Sequence, residues 1–596
     1  MAEENAVRGT TPPVAPLAPA PRWRHGVVAW IVILAVFIAA PVFGSAYTVQ
    51  LATDILTFTA LAYGWNLISG FTGYLSFGQV SFYGIGAYAT GILVLHTSIP
   101  WYVAACMGGV LAMLVAIVLG PIMLRVRGIL FALSMFGLAR IFAVLFSDWN
   151  YAGGGNGLTL PAVLTPIGVY VFAGLLALAG LGLNAWYARS GFGLDAMGVR
   201  EDENAAAAVG VPTTRVKVTA FALSAVLAGL AGGLVAWNRS YIDPPSVFDP
   251  TIDLQTVVFV LFGGMGTVWG PLIGTAILTI VGEQLLVYFP NLELALYGLV
   301  IIGTVLLLPG GVVSLANRWG WLRRPIVLAP RTLPFGVPPQ RATVPEPGAP
   351  MLDAAGGNTP VLEVDGLGVR FGGLVALDGV SFSIARGETI AIIGANGAGK
   401  TTLFNAITGF VPPTSGDIRL RGRSVAQLPA FRRARSGMAR TFQIPRLMRP
   451  MTVWENVLAA ARHGRQGHRA VLHAVWAVHT VGLAELWLAP VSRLSPGHQR
   501  RLEFGRVLAL DPDLVLLDEV MAGMTRDEQE EMRVVIRRLH SFGVTGVAMV
   551  EHVIAAIADL SDRMIVLDFG RKIAEGTPDE VLRDPAVIRA YLGEPQ

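Results

Sequence analysis

Gly394-Ala395-Asn396-Gly397-Ala398-Gly399-Lys400-Thr401-Thr402 has the composition and spacing of a loop that wraps phosphates. Its glycines let the backbone N–H groups from Asn396 through Gly397 and Gly399 to Thr402 turn inward, Lys400 can reach β- and γ-phosphates, and the Thr401 hydroxyl can ligate Mg²⁺. A second centre lies downstream, where the apolar run Leu514-Val515-Leu516-Leu517 ends in Asp518-Glu519. A buried strand delivering two carboxylates at its end suits a site where Asp518 holds Mg²⁺ through its water shell and Glu519 polarises an attacking water. Together the two centres point to the use of a nucleotide with Mg²⁺.

These residues need a frame. Thr389-Ile390-Ala391-Ile392-Ile393 is strand-like and the residues after Lys400 are helix-like, which is the context a phosphate loop requires. From 361 to 596 short β-branched runs alternate with charged helical ones, as in an α/β domain. The rest of the chain is different. Of 596 residues 53% are hydrophobic and 14% charged, so two or more domains are expected, at least one in lipid. With 44 basic and 40 acidic residues the net charge of +4 gives no basis for a nucleic-acid partner. The single Cys106 forms neither an internal disulfide nor a metal site, and its apolar run suggests a buried small side chain.

Four segments are expected: a disordered tail over 1–25, a membrane domain over 26–309, a basic and Pro-rich linker over 310–360, and the α/β domain over 361–596. Ten apolar spans fit a hydrocarbon layer of ~30 Å, near 27–44, 51–69, 81–97, 101–123, 128–147, 163–186, 217–237, 254–266, 270–289 and 293–308. Arg22 and Arg24, Arg125 and Arg127, Arg189, Arg200, Arg215 and Lys217, then Arg318, Arg323 and Arg324 all fall on one side, which marks it as cytoplasmic. Arg140 and Glu283 lie inside spans, either lining a solute path or satisfied within the bundle. The Ala228–Gly233 run reads as a helix-packing surface.

Leu494-Ser495-Pro496-Gly497-His498-Gln499, ahead of an amphipathic helix, resembles the signature motif of ATP-binding cassette proteins, with Pro496 and His498 departing from the usual residues. Thr441-Phe442-Gln443 resembles the Q-loop, Val550-Glu551-His552 the switch-histidine segment, and Phe371 the aromatic that stacks on adenine. Val520 and Thr525 replace residues usual after the carboxylate pair. The resemblance implies that ATP and Mg²⁺ are held by Phe371, Asn396, Gly397, Gly399, Lys400, Thr401 and Thr402, with Thr401, Gln443 and Asp518 toward the metal and Glu519, His552 and Gln443 catalytic. It also implies that Ser495 and Gly497 serve the nucleotide of a partner cassette.

The membrane half resembles the permeases of branched-chain amino acid importers, through Gly73-Tyr74-Leu75-Ser76-Phe77-Gly78-Gln79, Phe82 to Tyr88, and Gly263-Gly264-Met265-Gly266-Thr267-Val268-Trp269-Gly270-Pro271. Dense glycines at membrane depth permit broken helices, where transporters place solute contacts. Gly198 to Gly210 resembles a cytoplasmic coupling segment that docks near Gln443, and Gly570 to Pro578 with Ala590 to Glu594 resembles the close of the matching cassettes. The implied protein is a polytopic α-helical permease fused to an α/β P-loop ATPase. It would import branched-chain or related amino acids at a bacterial inner membrane, its N-terminus and ATPase cytoplasmic. The implied partners are a second permease, a second ATPase, a periplasmic solute-binding protein and membrane lipid. An importer of an amide, urea or organic acid, an exporter, and a membrane-tethered ATPase without transport are the alternatives.

Overall fold

The computed structural model describes residue 41 and residues 44–161, 166–288, 293–308, 310–318, 359–465, 467–551 and 557–592. The tail over 1–25, the first expected span up to residue 40, most of the linker, His552 and residues 593–596 lie outside the described residues.

The membrane half is a helix bundle: α1 (Ala46–Trp65), α2 (Gln79–His96), α3 (Trp101–Met123), α4 (Ile129–Asp148), α5 (Pro166–Arg189), α6 (Gly191–Glu201), α7 (Glu203–Ala208), α8 (Thr213–Arg239), α9 (Pro250–Gly263), α10 (Gly270–Tyr288), α11 (Glu293–Leu307) and α12 (Gly311–Arg318). Polar caps start several of them: Ser45 accepts from Thr48 N, Ser190 from Gly193 N, and Asp202 from Asn204 N and Ala205 N. Among the described residues, five segments are long and apolar enough to cross a membrane by length and composition alone, α3, α4, α5, α8 and the stretch Pro244–Gly263.

α8 is the axis of the bundle, and glycines let its neighbours close on it. A Cβ added at Gly86 would stand 2.0 Å from the Gly229 carbonyl oxygen, and one at Gly232 would stand 1.9 Å from that of Tyr83. Backbones therefore touch in the Ala228–Gly233 run, which is a packing surface. Cys106, in contrast, is exposed on α3 rather than buried. An apolar run in lipid carries apolar residues on its outer face too, so composition does not separate the faces.

Two span ends differ from the expectation. α1 runs on as a π-helix, Asn66–Phe71. α9 stops at Gly263 rather than 266 because Gly264 (φ 129°) and Gly266 (φ 74°) take up conformations open to glycine and reverse the chain into α10. A Cβ at Gly263 would meet the Gly270 carbonyl oxygen at 1.9 Å, so the two arms of this hairpin cross at their glycines.

The second half has two sheets. Strands β1 (Leu362–Phe371), β2 (Leu374–Ile384), β4 (Ser415–Leu420) and β5 (Arg423–Ser424) make an antiparallel sheet in the order β2-β1-β4-β5. Strands β3 (Glu388–Ile393), β6 (Met438–Arg440), β7 (Leu514–Asp518), β8 (Gly546–Val550), β9 (Arg563–Asp568) and β10 (Arg571–Gly576) form a sheet in the order β10-β9-β3-β8-β7-β6, parallel except for the β9–β10 hairpin. β7 and β8 are buried along their whole length, as their continuous apolar runs require. Helices α13 (Lys400–Thr408), α14 (Ala430–Arg435), α15 (Val453–His463), α16 (Ala470–Thr480), α17 (Pro496–Ala509) and α18 (Arg526–Arg537) complete the part that bears on the site.

Candidate nucleotide site and its link to the membrane half

β3 delivers the glycine run to the N-terminus of α13, where backbone N–H groups and the helix dipole favour an anion. Gly397 (φ 87°) and Gly399 (φ 102°) need the left-handed region, and a Cβ at Gly399 would stand 2.8 Å from Ala376 O. Lys400 folds back over the loop, its Nζ donating to Gly394 O at 2.6 Å and Ala395 O at 2.9 Å. Burial lowers the Lys400 pKa against the opposing pull of Glu519 and Asp518, so both carboxylates lie within electrostatic reach of its ammonium. The mouth is lined by Phe371, Asn396 to Thr402, Gln443, Glu519 and Phe569. Phe569, a second exposed aromatic in the β9–β10 turn, was not signalled by any motif; its place before Gly570 in a tight turn (φ 42°) is the cue available in the sequence.

The carboxylates owe their position to register. β6 and β8 flank β7, with Arg440 opposite Leu516 and Val550 opposite Asp518. Glu519 leaves the strand in a left-handed conformation (φ 48°), held by its N–H donating to Val550 O at 2.9 Å. Such a conformation in a non-glycine residue is strained and turns the side chain toward the mouth. Gln443 Nε2 donates to both Glu519 carboxylate oxygens at 3.1 Å. Asp518 is buried, which raises its pKa, while Arg440 opposes that shift by donating Nη2 to Oδ2 at 3.2 Å. Arg440 also donates to Asn405 Oδ1 at 2.7 Å and lies over the Phe442 ring, and burial lowers its pKa to about 10. The Thr401 hydroxyl, the Gln443 amide oxygen and the Asp518 carboxylate are hard oxygen donors, and Thr401 and Gln443 share the mouth with Glu519, so the donor set fits a hydrated Mg²⁺.

Ser495, Gly497 and His498 do not line this mouth. They open α17, where Pro496 occupies the first turn and forfeits no helical hydrogen bond. The Ser495 hydroxyl accepts from His498 N at 3.2 Å and stands 3.0 Å from His498 Nδ1. Burial, and then Arg501, lowers the His498 pKa; Glu528 on α18 opposes both.

One face of α17 carries residues that no motif identified. Arg500 donates to Phe442 O at 2.7 Å and to Gln443 O, and Glu503 accepts from Phe442 N at 3.1 Å. Arg506 donates to Arg446 O and, at 3.2 Å, to Ala205 O in the membrane half. Burial pushes Glu503 up to about 7 although Arg506 and Arg500 face it. Charged residues at i, i+3 and i+6 on an inward helix face are the sequence cue.

α6 and α7 lie between the two halves. On the ATPase side, Asp195 meets His463 at 2.9 Å and Arg462 at 3.0 Å, Asp202 meets Arg446 at 3.4 Å, and Arg435 donates to Gly210 O at 2.8 Å. On the membrane side, Arg200 donates to Gly70 O at 2.5 Å and packs against Gly73 and Gly266. Asn66 accepts from Gly266 N at 2.8 Å and donates to Asn184 and to Thr267 O, while Lys217 reaches Glu203, Tyr74 and Leu124 O. Gly73 of the first glycine motif and Gly266 of the second thus meet at Arg200 of α6. Chain reversals need glycine as much as broken helices do, which is why spacing alone did not place them.

Comparison with known proteins gives the same division. The family model described as "Branched-chain amino acid transport system / permease component" matches residues 47–306, "ABC transporter" matches 377–522, and "Branched-chain amino acid ATP-binding cassette transporter" matches 571–595. The Pseudomonas aeruginosa high-affinity branched-chain amino acid transport ATP-binding protein BraF is 39% identical over 251 residues, covering 39% of this chain and 98% of the relative. The Salmonella typhimurium protein LivG, of the same description, is 40% identical over 251 residues, with the same coverage of 39% and 98%. Among solved structures, the ADP conformation of an ATP-binding cassette of an ABC transporter is 29% identical and aligns with 39% of this chain and 99% of its own, at a TM-score of 0.36.

Proposed function

Since the chain belongs to the branched-chain amino acid ATP-binding cassette transporter family and joins a permease domain to an ATPase domain, we propose that it imports branched-chain amino acids at the bacterial inner membrane, with both roles in one polypeptide. Its N-terminus and ATPase domain face the cytoplasm. In this reading the backbone amides of Asn396 to Thr402 and the Lys400 ammonium bind the phosphates of ATP, and Phe371 stacks on its base. Thr401, Asp518 and Gln443 hold Mg²⁺, which neutralises phosphate charge when bound. Glu519 takes the proton of the attacking water, and Gln443 orients that water. His552 is assigned to the γ-phosphate from sequence alone.

Ser495 and Gly497 serve the nucleotide of a second ATPase, whose signature residues in turn complete the site at Lys400. A second permease and a periplasmic solute-binding protein finish the assembly, set in membrane lipid. The observation that carries this reading is the docking of 191–210 on the ATPase domain beside Gln443, through Asp195, Asp202 and Ala205. Closing the ATPase dimer would shift Phe442 and Gln443. The same helix face that grips them, Arg500 to Arg506, grips the permease segment.

The test is reconstitution of the full chain with its partner subunits and binding protein in liposomes. ATP-dependent accumulation of leucine is expected, and Lys400→Ala should abolish it along with nucleotide binding. Intact ATPase with no movement of any amino acid would favour a non-transporting membrane ATPase.

A further inference from the structure

Arg140 stands eleven residues into α4, whose inner end is flanked by Arg125 and Arg127. At 1.5 Å per residue it lies about 16 Å from that end and about 12 Å from the other, close to the middle of a hydrocarbon layer of ~30 Å. Its side chain is exposed and has no hydrogen-bond or ion-pair partner among the described residues. Leu133, Phe136 and Val144 share the exposed face, while Phe131, Met135, Leu138 and Ala139 turn inward. One turn below Arg140, Gly137 borders open space, where an added Cβ would meet nothing within 4 Å.

A guanidinium held in hydrocarbon at this depth is strongly unfavourable, and snorkelling along the helix does not carry it to either headgroup layer. Neither Asp54 nor Asp253, nor Glu283, is paired with it among the described residues. Glu283 instead lies within electrostatic reach of Asp54, with Arg239, toward the outer end of the bundle. The face that bears Arg140 must therefore meet water or protein.

We propose that this face of α4 borders an aqueous solute route, closed on its far side by the second permease domain, and that Arg140 binds the solute's carboxylate there. The inference rests on the importer reading and adds a ligand class to it. A guanidinium matches a carboxylate through two parallel hydrogen bonds, and the open surface at Gly137 does not obstruct an apolar side chain. A single cation with no counter-ion among the described residues binds the solute without trapping it. The site selects for a free carboxylate, so leucine should compete for it and leucinamide should not.

The test uses the full chain assembled with its partner subunits in membrane vesicles. In a Cys106→Ser background, Arg140→Cys should react with a water-soluble, membrane-impermeant thiol reagent, leucine should slow that reaction, and leucinamide should not. Val118→Cys, on the exposed face of α3, should stay unlabelled. Arg140→Gln should raise the KM for leucine uptake by about tenfold or more, the worth of a hydrogen bond to a charged group, with Arg140→Lys intermediate. An unreactive cysteine at position 140, protection by leucinamide equal to that by leucine, or an unchanged KM in Arg140→Gln would overturn the proposal. Wild-type vesicles that accumulate no amino acid would overturn the importer reading instead, and labelling at position 140 would still decide whether the face is aqueous.

Discussion

At the scale of single residues, Glu519 and His498 carry the sharpest consequences. Glu519 is turned into the mouth by a strained backbone and held there by Gln443. Glu519→Gln should keep ATP binding and lower turnover by about a hundredfold or more, the usual worth of a positioned base; turnover within a few-fold of wild type in the full assembly would remove Glu519 from that role. His498 makes a prediction about pH. While the imidazole is neutral with its proton on Nε2, Nδ1 accepts a hydrogen bond from the Ser495 hydroxyl. Protonation reverses that bond, so Nδ1–H donates to Ser495 Oγ and, in the proposed dimer, the hydroxyl proton is freed for the partner's γ-phosphate. Burial and Arg501 outweigh Glu528 and keep the pKa below the ordinary imidazole value, so the neutral form prevails at pH 7 and the protonated form gains as pH falls. The KM for ATP should therefore fall from pH 7 to pH 5, and His498→Gln should flatten the profile; equal slopes in the two proteins would contradict this. Lys400 and Glu519 were legible because their chemistry needs fixed neighbours in sequence. Arg440, Phe569, Arg500 and Glu503 were not, because their partners are brought to them by strand register and helix packing.

At the scale of elements, α6 and α7 hold the two halves together with few residues. Asp195 is buried between Arg462 and His463, and removing a partner from a buried pair typically costs about 3 kcal/mol. Asp195→Ala should weaken docking by that order, read as faster hydrogen exchange over 191–208 and α15 in the intact chain. Unchanged exchange there would mean that the contact contributes little. Hydropathy placed the helices because length and apolarity are local properties. It missed the end of α9, where Gly264 and Gly266 turn the chain, and it put Cys106 on the wrong face. Both depend on what an element packs against. The glycine motifs show the same division: their density was plain in the sequence, but their meeting around Arg200, Asn66 and Asn184 is a product of the bundle.

At the scale of the whole molecule, a permease and an ATPase share one chain, and the division was legible from composition, since hydrophobic spans and a charged α/β region follow one another. The docking of Gly198 to Gly210 near Gln443 was legible through the resemblance, but the side chains that make it were not. The hydrogen-bonded contacts between the halves run from Gln443 and Phe442 through Arg500, Glu503 and Arg506 to Ala205, and from Arg200 to Gly70 beside both glycine reversals. The central claim is that ATP turnover at Lys400 and Glu519 drives the permease through this docked segment. The most direct measurement is leucine accumulated per ATP hydrolysed, in liposomes holding the full assembly, for wild type and for Asp195→Ala/Asp202→Ala. The account predicts that hydrolysis persists while leucine moved per ATP falls by more than half; an unchanged ratio would contradict it.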